Sequence, residues 1–152
     1  MTATAPPHAT PQGIEALIER FEPSVIDVPA GRARIRLEVT GDGAWDALVS
    51  GKRVRLRPAD GGEPDALLAA DEATWRRIGA DLRGGMAAFR SGGLRVRRNL
   101  HLGVGFLAAT NGADQPDRLR FERVRTREGQ LSILEAGSGP PLICTHGLGG
   151  PK

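Results

Sequence analysis

Three regimes of hydrophobic spacing follow one another along the chain and define most of its elements. Between Pro11 and Glu22 the apolar residues Ile14, Leu17, Ile18 and Phe21 fall at i, i+3, i+4 and i+7, the spacing of a helix with one buried stripe. Thr10 is placed to cap this helix, Pro11 to occupy its first position and Pro23 to end it. From Ala33 the period drops to two. Ile35, Leu37 and Val39 alternate with Arg34, Arg36 and Glu38 up to Thr40, and a turn signal follows at Gly41-Asp42-Gly43. Ala44 to Val49, containing Trp45, reads as a weaker strand. After Ser50-Gly51, Lys52 to Arg57 sets Val54 and Leu56 against Arg53, Arg55 and Arg57. These segments predict a three-stranded meander with one apolar and one arginine-rich face.

The third regime mixes the two periods. Past a loop from Ala59 to Pro64, Asp65 to Ala70 reads as a short strand carrying Leu67 and Leu68. Asp71 then caps a helix with Trp75, Ile78 and Leu82 at helical spacing, which Gly84-Gly85 is expected to break. A short second helix puts Met86 and Phe89 on one side and closes at Ser91-Gly92-Gly93. Leu94 to Leu100 returns to alternation, with Leu94 and Val96 opposite Arg95 and Arg97. His101 to Ala109 is apolar nearly all round (Leu102, Val104, Phe106, Leu107), as in a buried or ligand-covering helix. The fold class expected is α+β: an antiparallel (mixed) sheet of about five strands with helices on one face.

Asn111 to Asp117 is polar, with Gly and Pro, and marks a domain boundary. Residues 1–10 are then an unstructured leader, 11–110 the first domain, 111–118 a linker and 119–152 a second segment. In that segment Leu119 to Arg125 is expected to pair with Gln130 to Glu135 across Glu128-Gly129. The leader has neither a basic n-region nor an apolar h-region, so it does not read as a signal peptide.

Composition narrows the classes. With 152 residues, 39% apolar and 26% charged, the chain reads as a soluble globular protein with one core, and no run approaches the roughly 18 apolar residues of a membrane span. A cytoplasmic location follows by default. The single cysteine, Cys144, has no partner for an internal disulfide, and its apolar surroundings suggest an inert buried thiol. No metal-ligand set and no cofactor motif is expected. Gly103-Val104-Gly105-Phe106-Leu107-Ala108 matches a dinucleotide fingerprint by letter, but antiparallel strands precede it and Glu122 follows too closely.

The net charge of +3 conceals 21 basic residues, nearly all arginine. Arg34, Arg36, Arg53, Arg55, Arg57, Arg95 and Arg97 are expected to share the sheet face opposite the core. Such a stripe is either a solvated face or a transient dock for an anionic membrane surface. Nucleic acid is not the expected partner, because that face lacks aromatic residues for stacking.

Two resemblances add to this reading. Trp75-Arg76-Arg77-Ile78-Gly79, and Gly85-Met86-Ala87-Ala88-Phe89-Arg90-Ser91-Gly92-Gly93-Leu94-Arg95-Val96, together with the order of elements from Gly13 to Thr110, resemble the sterol carrier protein type 2 family. The resemblance implies an apolar tunnel under a lid-like last helix, taking a sterol, fatty acyl or phospholipid ligand. Trp75, Ile78, Leu82, Met86, Phe89, Leu102 and Phe106 would line it. Small residues in the covering elements, Gly79, Ala87, Ala88, Gly103, Gly105 and Ala108, are expected to leave room for the guest. The alternative is that these apolar side chains are simply core.

The second resemblance is to the opening of an α/β hydrolase. Leu131, Ile133 and Leu134, the turn Gly137-Ser138-Gly139-Pro140-Pro141, the run Leu142-Ile143-Cys144-Thr145 and the loop His146-Gly147-Leu148-Gly149-Gly150 carry it. In that family such a loop directs backbone N–H groups at an oxyanion, so His146, Gly147 and Leu148 would be its vestige. No serine here sits in G-x-S-x-G, and no acid and histidine follow in the family's order. No catalytic residues and no hydrolase activity are therefore expected of this chain. The combined expectation is a non-catalytic lipid-binding module forming the N-terminal part of a larger hydrolase. The alternative is a structural N-terminal domain with no ligand of its own.

Overall fold

The computed structural model describes residues 9–28, 30–110, 120–135, 137 and 139–144. Helix α1 (Gln12–Glu19) leads into strands β1 (Arg32–Val39), β2 (Gly43–Ser50), β3 (Arg53–Pro58) and β4 (Ala66–Ala70). Helices α2 (Glu72–Ala80) and α3 (Leu82–Arg90), strand β5 (Arg95–Arg97) and helix α4 (Leu100–Ala109) complete this part. The five strands form one mixed sheet in the order β3-β2-β1-β4-β5, with β1 and β4 parallel and the other neighbours antiparallel. The α+β class, the five strands and the mixed sheet are as expected.

Alternation along the strands sorts the two faces. Ile35, Leu37 and Val39 of β1, Trp45, Ala47 and Val49 of β2, and Ala66, Leu68 and Ala70 of β4 are all buried in one core. Ile14 and Leu17 of α1, Trp75 and Ile78 of α2, Ala88 of α3, and Leu102 and Phe106 of α4 join them, so the helices lie on that face. Each side chain of valine size or larger among them contributes about 1.5–3 kcal/mol by leaving water. Trp75 also spans the layers: its indole N–H donates to the carbonyl of Glu38 on β1 at 3.0 Å.

Glycine sets how closely the helices approach. A Cβ at Gly79 of α2 would lie 2.9 Å from Cα of Gly13 on α1, and a Cβ at Gly13 would lie 2.6 Å from the Arg76 nitrogen. The α1–α2 crossing is therefore a backbone-to-backbone contact that no larger residue fits. Arg20, just past α1, secures it by donating from Nε to the carbonyl of Ala16 at 2.9 Å and from Nη2 to the carbonyl of Gly79.

The helix boundaries differ from the sequence expectation in three places. Helix α1 ends at Glu19, leaving Phe21 beyond it. Pro11, extended at ψ 133°, takes the N-cap position in place of Thr10, and its carbonyl receives Ile14 and Glu15 N–H at 2.9 and 3.1 Å. The break in the middle helices falls at Asp81, with extended backbone (φ −153°, ψ 124°), and not at Gly84-Gly85, which lies inside α3. Packing overrides the glycine signal: a Cβ at Gly85 would rest 3.5 Å from Ile78. Asp81 stands directly before Leu82, and aspartate is favoured at such a helix start. Leu82 thus begins α3 and does not continue α2.

Strand β5 is shorter than Leu94 to Leu100 because Arg98 adopts φ 70°, a left-handed conformation that carries the chain out of the ladder. Asn99 then caps α4, its side chain accepting from Leu102 N–H at 3.0 Å. At the other end Glu22 N–H donates to Ala109 at 2.7 Å, and the Phe21 and Phe106 rings lie 6.3 Å apart. Helix α4 is thereby fixed at both ends.

A separate two-stranded sheet pairs β6 (Arg120–Thr126) with β7 (Gly129–Glu135). The two segments pair with each other as expected, but Thr126 pairs with Gly129, so the turn is Arg127-Glu128 and lies one residue before the expected Glu128-Gly129. Residues 141–144 form no strand, and Leu142 and Ile143 are almost fully exposed. Cys144 is exposed as well, which corrects the expectation of a buried thiol. A parallel strand is buried only when neighbours cover both its faces, and no described residues do so here.

Candidate functional site

The sequence singled out seven apolar residues as a ligand lining, and the fold divides them. Trp75 and Phe106 are 0% exposed, Ile78 1% and Leu102 6%, and all four belong to the core against Ile35, Leu37, Leu68 and Leu94. Met86 and Phe89, on α3, face outward at 61% and 44% exposure. Leu82 begins α3, and its side chain lies outside the described residues, as do His146, Gly147 and Leu148. The polar side chains of low exposure in this part are few: Thr74 and Thr110 at the helices, and Asp46 on the opposite sheet face. Thr110 donates to the Phe106 or Leu107 carbonyl at 3.1 or 3.0 Å, so the interior beneath the helices presents apolar atoms almost throughout.

Helix α4 is apolar on two sides. Leu102 and Phe106 turn toward the sheet, while Leu100 (56% exposed) and Val104 (41%) turn away from it. The small residues expected to leave space act differently at two points. A Cβ at Gly103 would sit 2.6 Å from Cγ1 of Val96, so α4 is seated directly on β5 there, and Gly79 is the α1–α2 contact described above. These glycines bring elements together and do not hold them apart.

The opposite sheet face carries a charge network that sequence reasoning missed. The loop from Ala59 to Asp65, linking edge strand β3 to β4, is clasped against this face by arginines. Arg36 donates to Asp46 from Nε (2.8 Å) and Nη2 (3.1 Å), and its Nη2 also reaches the carbonyl of Gly62 at 2.7 Å. Arg34 and Arg57 hold the two oxygens of Asp60 at 2.8 and 2.7 Å. Arg34 N–H donates to Asp65 at 2.7 Å, and Arg98 joins from the far side through Glu63 at 3.1 Å. The Asp46 carboxylate has no exposed surface.

Titration behaviour follows from these partners. The hydrogen bond to Asp46 raises the Arg36 guanidinium above its ordinary range, against an opposing effect of burial. The N–H of Gly62, aided by the charges of Arg34 and Arg57, lowers Asp60. Hydrogen bonds from the Thr74 hydroxyl and N–H lower Asp71 at the start of α2. Three of the seven stripe arginines, Arg34, Arg36 and Arg57, are thus neutralised by carboxylates. Arg53 and Arg55 on β3, and Arg95 and Arg97 on β5, lie at opposite sheet edges with no ion-pair partner among the described residues.

The missed signal was Asp46 itself, an acid inside the strand Gly43–Ser50. Counting back from the Gly41–Gly43 turn places it opposite Arg36, as the register confirms. Among the described residues no cluster of His, Cys, Asp and Glu is arranged to hold a metal, and no helix is long and apolar enough to cross a membrane.

The architecture defines the class: a five-stranded mixed sheet with four helices on one face. Among solved structures the chain is similar to a ubiquinone synthesis protein described as UbiJ-SCP2, at 24% identity over 64% of this chain and 90% of that one, with a TM-score of 0.49. It is also similar to a double mutant of the sec-alkyl sulfatase PisA1, at 12% identity, with a TM-score of 0.54. That likeness covers 76% of this chain but only 18% of the sulfatase, and at this identity it shows a shared fold and nothing more. No protein-family model matches the chain, and no curated protein matches it.

Proposed function

We propose that residues 11–110 are a binding module for a hydrophobic small molecule of the lipid class: a sterol, a fatty acyl chain or a phospholipid. The observation that carries this reading is the composition of α4. A helix that only closes a core needs one apolar side, whereas α4 presents Leu102 and Phe106 inward and Leu100 and Val104 outward. The interior it covers lacks the charged groups that would reject an apolar guest. The resemblance of Trp75–Gly79 and Gly85–Val96 to the sterol carrier family supports the same ligand class. Native mass spectrometry of the purified protein tests it, with displacement of a fluorescent fatty acyl probe. Co-purifying lipid or saturable probe binding is expected. A protein that is empty and silent to the probe leaves a structural domain with no ligand.

We propose in addition that residues 119–152 correspond to the opening segment of an α/β hydrolase and that this chain carries no hydrolase chemistry of its own. The hairpin β6–β7, followed in the sequence by the apolar run Leu142-Ile143-Cys144-Thr145, supports the first point. The second rests on the missing nucleophile elbow. Ester turnover abolished by a serine-directed inhibitor would overturn it.

A further inference from the structure

Among the described residues four strands are sheet edges: β3 and β5 in the larger sheet, β6 and β7 in the smaller. An edge strand offers unpaired N–H and C=O groups to any other strand, and charge, proline or shortness discourages the pairing. Three of these edges are guarded in that way. β3 carries Arg53, Arg55, Arg57 and Pro58, β5 is three residues long with Arg95 and Arg97, and β6 carries Arg120, Glu122, Arg123 and Arg125. β7 is not guarded: from Gly129 to Leu134 it has neither charge nor proline, and Glu135 stands at its very end. The hairpin also leaves one face uncovered. Leu131 and Ile133 share it by alternation, Val124 lies opposite Leu131 in the register, and they are exposed at 55%, 41% and 39%. A lone two-stranded hairpin is marginal in water, whereas three or more strands with an apolar face can stand alone.

The turn fixes which backbone groups face outward. Across Arg127-Glu128, Thr126 and Gly129 form a hydrogen-bonded pair, so Leu131 and Ile133 also spend their N–H and C=O groups on β6. Gln130, Ser132 and Leu134 therefore turn theirs away from it. From this edge we infer that β7 pairs antiparallel with β7 of a second copy of this chain, about a two-fold axis at Ser132, in a sheet of order β6-β7-β7-β6. That register joins Ser132 to the second copy's Ser132 and Gln130 to its Leu134, so every outward group finds a partner. It also sets Leu131 opposite the second copy's Ile133, which makes the two apolar faces continuous. A slip of one residue would lose the hydrogen bonds and turn one apolar face over, and a slip of two would leave outward groups unmet. No like charges meet across β7, whereas β6 paired with itself about Arg123 would oppose two arginines. The assembly is closed, because only the charged β6 strands remain at its edges. The inference rests on the hairpin alone and holds with or without a lipid in residues 11–110.

Sedimentation velocity of the full chain over a range of concentrations tests it, in reductant so that the exposed Cys144 cannot link copies. The expected result is a monomer–dimer equilibrium. S132K sets two lysines face to face across the axis and is expected to weaken the dimer about fivefold. S132E alone weakens it likewise, and an equimolar mixture of S132K and S132E restores wild-type strength, which a merely misfolded hairpin would not do. R53Q/R55Q at the β3 edge leaves the equilibrium unchanged. Hydrogen exchange reads the same contact: the Gln130, Ser132 and Leu134 amides are expected to gain protection as the dimer forms. A dimer indifferent to S132K, a mixture that stays monomeric, or growth past the dimer into larger species overturns the proposal. So does a monomer at every concentration. If its β7 amides are protected, the chain's own Leu142–Thr145 run is the occupant; if they exchange freely, the edge awaits a different protein's strand.

Discussion

Arg36 of β1 grips Asp46 of β2 through two hydrogen bonds of 2.8 and 3.1 Å, on the sheet face away from the helices and around a carboxylate that no solvent reaches. The loop between β3 and β4 is what seals this pair from water, since the Gly62 carbonyl accepts from the same guanidinium. Removing one partner strands the other, so Asp46→Ala is expected to lower stability by about 3–5 kcal/mol. Replacing both with apolar residues, as in R36M/D46L, recovers at least half of that loss. Urea melts of the two variants check the pair, and a double variant no better than the single one would show that the clasp itself is stabilising.

The α1–α2 crossing admits no side chain. Gly79→Ala places a methyl group against the backbone of Gly13, and the expected cost is about 3 kcal/mol, beyond any gain in helix propensity of about 1 kcal/mol. Gly103→Ala meets a side-chain methyl of Val96 and is expected to cost about 1 kcal/mol, because that group shifts more easily than backbone. Denaturation midpoints in the order wild type, G103A, G79A are the expected result.

Trp75→Phe keeps most of the buried ring but leaves the Glu38 carbonyl without its indole donor. A loss of about 1–3 kcal/mol is expected, read from the urea midpoint.

Acid acts on the start of α2. Hydrogen bonds from Thr74 lower Asp71 in the folded chain, so its contribution is fully present above the ordinary carboxylate value of 3.8 and is lost as pH falls through the lowered one. Asp60 follows the same sign. The melting temperature of Asp71→Asn is therefore expected to lie below wild type at neutral pH and to converge with it in strong acid. A gap that stays constant across the titration would contradict this assignment.

Strands were the most legible part of the sequence, because alternation such as that of Ile35, Leu37 and Val39 against Arg34, Arg36 and Glu38 reports a half-buried ladder directly. The pairing of β6 with β7 was legible for a related reason, alternation on either side of a short turn, but the turn itself falls at Arg127-Glu128, one residue before the expected Glu128-Gly129. Helix ends were less legible. Asp81 and Gly84-Gly85 both signal interruption, and which one acts depends on how Ile78 packs over Gly85, a contact that local sequence does not encode. The lining residues show the same limit. Trp75, Ile78, Met86 and Phe89 share helical spacing, yet two are buried and two exposed, because Asp81 resets the phase between the helices. Asp46 escaped notice because its importance comes from Arg36 and from a loop more than a dozen residues away.

The capture of Arg34, Arg36 and Arg57 by two aspartates also shapes the electric field outside the protein. With the middle of the sheet cancelled, uncompensated positive charge is left at its two edges, Arg53 and Arg55 on β3 and Arg95 and Arg97 on β5. A negatively charged target therefore feels two separate attractive rims in place of one broad positive face, each acting within about a Debye length, roughly 8 Å at physiological salt.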